Sequence, residues 1–270
     1  IFSSLAKTFN KNGDEKDGRC DMDADYTIKE NYYNDLKTGE SKVKKKTYFG
    51  YRYHLLADVN YELPIEYTVT KASKGEREQF KKHIEMLPKD KLDIIETASA
   101  DKGYDSEDMI IFLKANGIKP IIDIRNHWKG DETKQYKNTN IVYTYDGKVS
   151  IVNNAGDIIL LKYLGYDKVK NTLRYGYQRK IYSIDINYDS RIFTPIARNS
   201  KKWKKLYNKR TSLERINGRM DRDFNLENRK VRGLKKATVM IDLMMIAMLS
   251  MAKGHIINNK LENVRKLKST

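Results

Sequence analysis

A single cysteine, Cys20, stands among 270 residues. No disulfide can close within the chain and no thiolate cluster can hold a metal, which fits a reducing compartment such as the cytoplasm. Histidine is almost as scarce: His54, His83, His127 and His255 show no spacing that would ligate zinc. No charged-then-apolar leader opens the sequence, because "IFSSLAKTFN" turns polar at once, and this argues against export. A run of bilayer length is missing too. The most apolar stretch, "VMIDLMMIAMLSMA" (239–252), is interrupted by Asp242 and falls short of the roughly 20 residues a membrane span needs. It is expected to be a buried core helix, in a chain with no membrane partner. No internal repeat is visible.

What the chain has in excess is positive charge. Lys and Arg number 53 against 36 Asp and Glu. From Arg198 to the end 20 basic residues face 6 acidic ones, so 14 of the net +17 lies in the last quarter. A field that concentrated suits a polyanion such as nucleic acid better than a small substrate. The 39% apolar content is enough for a globular core, in one large domain or a domain carrying a sizeable insertion.

Asn10 to Lys42 is polar, rich in Gly, Asn and Asp, and reads as a long loop. "TYFGYRYHLLADV" (47–59) and "PIEYTVTKA" (64–72) are β-branched and aromatic runs joined by a short turn around Asn60, as in a hairpin. Phe80, Ile84 and Leu87 have helical spacing, which predicts a helix over 74–87 that stops at Pro88. "KLDIIETASA" (91–100) reads as a strand that delivers Asp101, "SEDMIIFLKANG" (106–117) as a helix capped by Ser106 and closed by Gly117, and "KPIIDIR" (119–125) as another strand. That order is a mixed α/β pattern. Beyond a polar break (126–140) come "IVYTYDG", "KVSIV", "DIILLKYL", "RKIYSIDI" and "RIFTPIA", with turn signals such as "DGK" and "NNAGD" between them, which predict antiparallel hairpins. The plan is therefore a first part of an α/β core over 1–125, a β-rich insertion over 126–196, helices completing the core over 197–257, and a basic tail over 258–270.

"YNKRTSLERINGRMDRDF" (207–224), read as one helix, places Arg210, Glu214 and Asp221 within about 60° of Tyr207. Leu206, Leu213, Met220 and Phe224 form an adjacent apolar stripe, while Lys204, Arg215, Arg219 and Arg222 form a basic flank able to follow a phosphate backbone. The ordinary role of Glu214 is an i to i+4 pair with Arg210, and that of Asp101 is a turn at a strand end. Their combination points further. A carboxylate at a strand end in an α/β sheet, with a second on a later helix, is how an acidic pair holds divalent metal for phosphoryl transfer, and oxygen donors suit Mg²⁺ or Mn²⁺.

"ADKGYDS" (100–106) followed by "YNKRTSLERINGRMDRDF" resembles the DDE transposases of bacterial insertion sequences, the cut-and-paste type with a β-strand insertion. "YFGYRYHLLADVNYELPIEYTVTKAS" and "KPIIDIRN" are similar to the same family's sheet, so the resemblance covers roughly 43–252. It implies a ribonuclease-H-like mixed sheet flanked by helices, with an inserted antiparallel β-rich subdomain. It also implies two Mg²⁺ ions and a transposase that cleaves double-stranded DNA at transposon ends and transfers them to a target, as a homodimer in a synaptic complex. Asp101 matches the family's second catalytic aspartate and Glu214 its glutamate, both as metal ligands. Tyr207 and Arg210 match the DNA-contacting Tyr and Arg of the family signature. Asp221 stands where that signature has lysine, so a phosphate contact there must come from a neighbour such as Arg219 or Arg222.

The family's first aspartate belongs on the first core strand, yet "IFSSLAKTF" contains no acid. The resemblance places it just upstream of Ile1 and makes the chain a fragment of a longer transposase, inactive as given. Asp58 suits a turn better, and Asp21, Asp23 and Asp25 suit a solvated loop. A non-catalytic DNA-binding remnant and a structure-specific nuclease are the alternative functions. Trp128 and the tyrosines of the insertion are suited either to stacking on an unpaired base or to filling strand faces.

Overall fold

The computed structural model describes residues 2–9, 25–34, 41–126, 128 and 132–267, with side chains from residue 50 onward. In chain order the elements are β1 (Phe2–Phe9), β2 (Asp25–Asn34), β3 (Ser41–Asp58), β4 (Leu63–Lys71), α1 (Glu76–Met86), α2 (Lys89–Asp93), β5 (Thr97–Ala100), α3 (Glu107–Ala115) and β6 (Lys119–Ile122). The insertion follows with β7 (Lys134–Gln135), β8 (Ile141–Tyr143), β9 (Val149–Val152), β10 (Ile158–Leu160), β11 (Lys162–Asp167), β12 (Thr172–Tyr177) and β13 (Lys180–Asp185). Three helices close the chain: α4 (Lys201–Asn208), α5 (Thr211–Phe224) and α6 (Leu234–Ile257). Contacts divide the chain into two compact units, residues 1–3 with 87–211 and residues 4–86 with 212–270.

In the second of these units β3 pairs antiparallel with β2, from Asp25↔Gly50 to Asn34↔Ser41, and with β4, from Tyr51↔Lys71 to Asp58↔Leu63. The stretch expected as one long loop therefore contains a strand. "DYTIKENYYN" is rich in Tyr, Thr and Ile, which suit a pleated surface despite the polar residues between them. The expected hairpin is present, and Asp58 is committed to its turn, where Oδ1 accepts the N–H groups of Asn60 (2.8 Å) and Tyr61 (2.7 Å). Asp25 begins β2, while Asp21 and Asp23 lie outside the described residues.

Alternate residues Tyr51, Tyr53, Leu55 and Ala57 of β3 face one core, which they share with Leu213, Ile216 and Met220 of α5 and Ala237, Ile241, Met244, Met245 and Met248 of α6. A period of two on the strand meets periods of three and four on the helices. Helix α6 departs from expectation. It runs 24 residues and is long and apolar enough to cross a membrane, yet one stripe of it packs on the core while Val239, Leu243 and Ile246 are 55–62% exposed. Asp242 accepts the Tyr67 hydroxyl at 2.7 Å, which explains an acid within the apolar run. The basic tail is also partly tied down: Val264 is buried and Arg265 donates to the Asn60 carbonyl.

In the other unit β1 runs parallel to β5 (Phe2↔Ala98, Ser3↔Ser99), and β5 runs parallel to β6 (Thr97↔Lys119 to Ala100↔Ile122). The strand before Asp101 is four residues, shorter than expected. Pro88 starts α2 instead, its carbonyl accepting the N–H groups of Lys91 and Leu92. Helix α3 is as expected: Ser106 Oγ accepts the Met109 N–H at 3.2 Å, and Gly117 takes φ +73° as the chain leaves. The insertion forms two antiparallel sheets, β10-β9-β8-β7 and β11-β12-β13. "DIILLKYL" is split between β10 and β11, and β12 was not foreseen. "RIFTPIA" is no strand, because the N–H groups of Ile192 and Phe193 bond back to Asp189 and turn the chain. Its apolar residues Ile192, Phe193 and Ala197 still fill a core with Tyr136, Tyr143, Val149 and Tyr175.

Candidate active site

Asp101 immediately follows β5, at the C-terminal end of a short parallel ladder, where α/β sheets leave an open edge for ligands. It caps a 3₁₀ turn, Lys102–Tyr104, and its Oδ1 accepts the Gly103 N–H at 2.7 Å. The turn is fixed at its far end. Tyr104 is fully buried, and the Asp105 carboxylate receives two bonds from Arg191 and one from the Arg125 N–H (2.8 Å). Burial raises the Asp105 pKa, but Arg191 and the Arg125 amide outweigh it and hold the group below the usual carboxylate range. Asp123, one residue past β6, takes Lys102 Nζ at 3.1 Å. The second acid of "ADKGYDS" and the Arg of "SRIF" were not singled out from the sequence; they are the staples that hold the turn.

Strand β1, which pairs parallel with β5 at Phe2↔Ala98 and Ser3↔Ser99, carries no acid.

The stretch from Tyr207 to Phe224 is two helices, not one. Helix α4 tightens at its end, with Lys209 N–H donating to Leu206 O (3.1 Å) and Arg210 N–H to Tyr207 O (2.9 Å), and Thr211 Oγ1 donates to Asn208 O (3.0 Å). A stripe counted at 3.6 residues per turn from Tyr207 therefore does not carry through to Glu214. Tyr207 stacks on Trp203 (centroids 4.9 Å, planes 13° apart), with the Arg210 guanidinium 5.7 Å from the Tyr207 ring centre and that of Arg198 5.7 Å from the Trp203 ring centre. Burial raises the Tyr207 pKa, and Asp123 adds to the shift. Arg198 is itself buried, donates to Ile122 O and Arg191 O, and has its pKa lowered to about 10 by desolvation. Trp203 is the residue that sequence reasoning missed here; it lies one turn before Tyr207, a spacing that marks it.

Glu214 lies exposed in the first turn of α5, while Leu213 and Ile216 beside it are buried. One turn on, Asn217 Oδ1 accepts the Tyr53 hydroxyl, and the half-buried Asp221 faces the same tyrosine, whose pKa is raised first by burial and then by Asp221. Asp221 thus belongs to the core side of the helix. The basic flank is not uniform. Arg219 is 5% exposed and donates to the carbonyls of Glu62 and Arg265. Arg215, more open, binds Glu62 Oε1 at 2.6 Å, and Arg222 lies exposed with an ion pair to Asp223 at 3.0 Å. The sequence put all three on one solvated face; the buried Glu62 carboxylate draws Arg219 inward.

As donors, Asp101 and Glu214 are the hard carboxylate oxygens that Mg²⁺ or Mn²⁺ takes, and the Gly103 amide pins one of those oxygens at the strand end. Among the described residues no group of three or more His, Cys, Asp or Glu gathers in a metal-binding arrangement.

A piggyBac transposase in a synaptic complex with hairpin DNA, solved by cryo-EM, is 10% identical over 98% of this chain and 51% of its own, with a TM-score of 0.43. This chain spans about half the length of that protein. No curated protein matches. The transposase DDE domain family matches residues 32–250, and the described residues form the mixed α/β architecture expected. On that match the chain belongs to the family of transposase DDE domains.

Proposed function

We propose that this chain is the catalytic domain of a DNA transposase, which binds double-stranded DNA at the ends of its element and supports metal-dependent strand cleavage and transfer, as a homodimer in the synaptic complex. The observation that carries the reading is a family match over 32–250 in a chain that places a pinned carboxylate, Asp101, at the end of a parallel strand. DDE transposases generally use divalent metal ions. Asp101 and Glu214 would hold Mg²⁺ or Mn²⁺, which supplies an activated water or 3′-hydroxyl and stabilises the leaving oxygen. The chain's own residues do the rest. Tyr207, stacked on Trp203, and Arg210 beside it meet the DNA near the scissile phosphate. Arg215 and Arg222 follow the backbone, and Arg219 supports α5 from within.

Strand transfer of a labelled element end with Mg²⁺ or Mn²⁺, by the chain extended at its N-terminus, tests this. Asp101→Asn and Glu214→Gln should each abolish transfer while leaving DNA affinity within about twofold, because both leave in place every Lys and Arg that supplies the electrostatic part of binding. Transfer that survives both substitutions removes them from the chemistry. The acid-free β1 favours a second reading, DNA binding without chemistry. Binding with no transfer at any metal concentration decides for it.

A further inference from the structure

Gly103 has an ordinary backbone conformation, so no left-handed φ demands glycine there. Leaving aside its chain neighbours, the three atoms nearest to a Cβ built on it all belong to the Asp101 carboxylate: Oδ1 at 2.8 Å, Cγ at 3.7 Å and Oδ2 at 3.9 Å. The same carboxylate accepts the Gly103 N–H at 2.7 Å. The turn cannot retreat from such a clash, because Tyr104 is fully buried and Asp105 is clamped by Arg191 and the Arg125 amide. What can yield is the end of a short side chain.

We infer that Gly103 is a positioning residue for the metal-binding carboxylate: its missing side chain leaves the space that the Asp101 carboxylate takes over the turn, with Oδ1 on the backbone amide. A methyl group there swings the carboxylate off the amide and leaves the turn standing. This rests on the reading of Asp101 as a metal ligand, and it adds a residue whose effect runs through Asp101. Groups that orient a metal ligand change metal affinity by about 10- to 100-fold when altered, which sets the size of effect to look for.

Calorimetric titration of the full chain with Mn²⁺ alone, paired with thermal unfolding without metal, tests the inference on three proteins. The unmodified chain should bind Mn²⁺ and Asp101→Asn should bind it far more weakly. Gly103→Ala should lose about tenfold or more in affinity while its melting temperature without metal stays close to that of the unmodified chain. Gly103→Ala binding as the unmodified chain does, with Asp101→Asn defective, overturns the role of Gly103 and leaves the Asp101 reading intact. Asp101→Asn binding normally, or no binding by the unmodified chain, overturns the Asp101 reading and this inference with it. A marked fall in the Gly103→Ala melting temperature overturns the inference alone, because it means that the turn gives way before the carboxylate does.

Discussion

At the scale of single residues, charge that looks equivalent in sequence is sorted by burial. Arg219 and Arg222 sit three apart on α5, yet one is folded against Glu62 and the other lies in solvent. An exposed ion pair such as Arg222 with Asp223 is worth little and is easily exchanged for a phosphate, whereas breaking a buried one strands a charge. Arg222→Ala should therefore reduce the salt slope of DNA binding by about one unit with unfolding unchanged. Arg219→Ala should cost about 3 kcal/mol in chemical denaturation, and any loss of DNA affinity in it should track the loss of folded protein. His54 and His83 offer a second test. Each is buried, bonded through Nε2 to Thr70 and Thr68 respectively, and held neutral: burial, helped by Arg52 and His83, lowers His54 to about 3, and burial lowers His83 to about 4. Folded pKa values below the unfolded one mean that the unfolded chain takes up protons first as pH falls. Stability should be flat above the ordinary histidine pKa of about 6.5 and fall below it by about 1.4 kcal/mol per pH unit per histidine, down to the folded values. Denaturant midpoints between pH 7 and 5 that do not move would show that these rings are not held neutral.

Among the elements, those with a local signal were legible and those made by pairing were not. Ser106 and Gly117 announced α3, and the alternation of Tyr51, Tyr53, Leu55 and Ala57 announced β3, because caps, turns and periodicity are written in adjacent residues. β2 and β12 were missed for the opposite reason: "DYTIKENYYN" and "TLRYGY" are polar or glycine-broken runs that become strands through the partners they meet. The break between α4 and α5 was invisible as well, since no Gly or Pro marks it. Asp101 and Glu214 were proposed from a strand-end carboxylate combined with one on a later helix and from the family resemblance, while Gly103, Asp105, Trp203 and Glu62 acquire their meaning only from contacts. The insertion's Tyr136, Tyr143 and Tyr175 are buried, which fits strand-face packing, and Trp128 meets Tyr143 edge-on at 5.9 Å. Helix α5 holds Glu214 through its buried stripe, so Leu213→Ala, which opens a cavity beside that residue, should lower stability by about 2–5 kcal/mol in urea unfolding. A cost below about 1 kcal/mol would mean that the stripe does not anchor the helix.

For the molecule as a whole, a net charge of +17 with most of its excess after Arg198 predicts binding to DNA of any sequence with a steep dependence on salt. With six or more phosphate contacts, affinity for a random duplex should fall by on the order of 10³ between 50 and 200 mM salt. A weak dependence would mean that the last quarter does not face the DNA. The central claim is narrower: that Asp101 and Glu214 serve one metal centre. Anomalous diffraction from crystals of the chain with an element end and Mn²⁺ measures this directly. The account predicts an Mn²⁺ peak with carboxylate oxygens of both Asp101 and Glu214 within about 2.1–2.3 Å. A peak that lacks either residue, or Mn²⁺ bound only elsewhere, contradicts it.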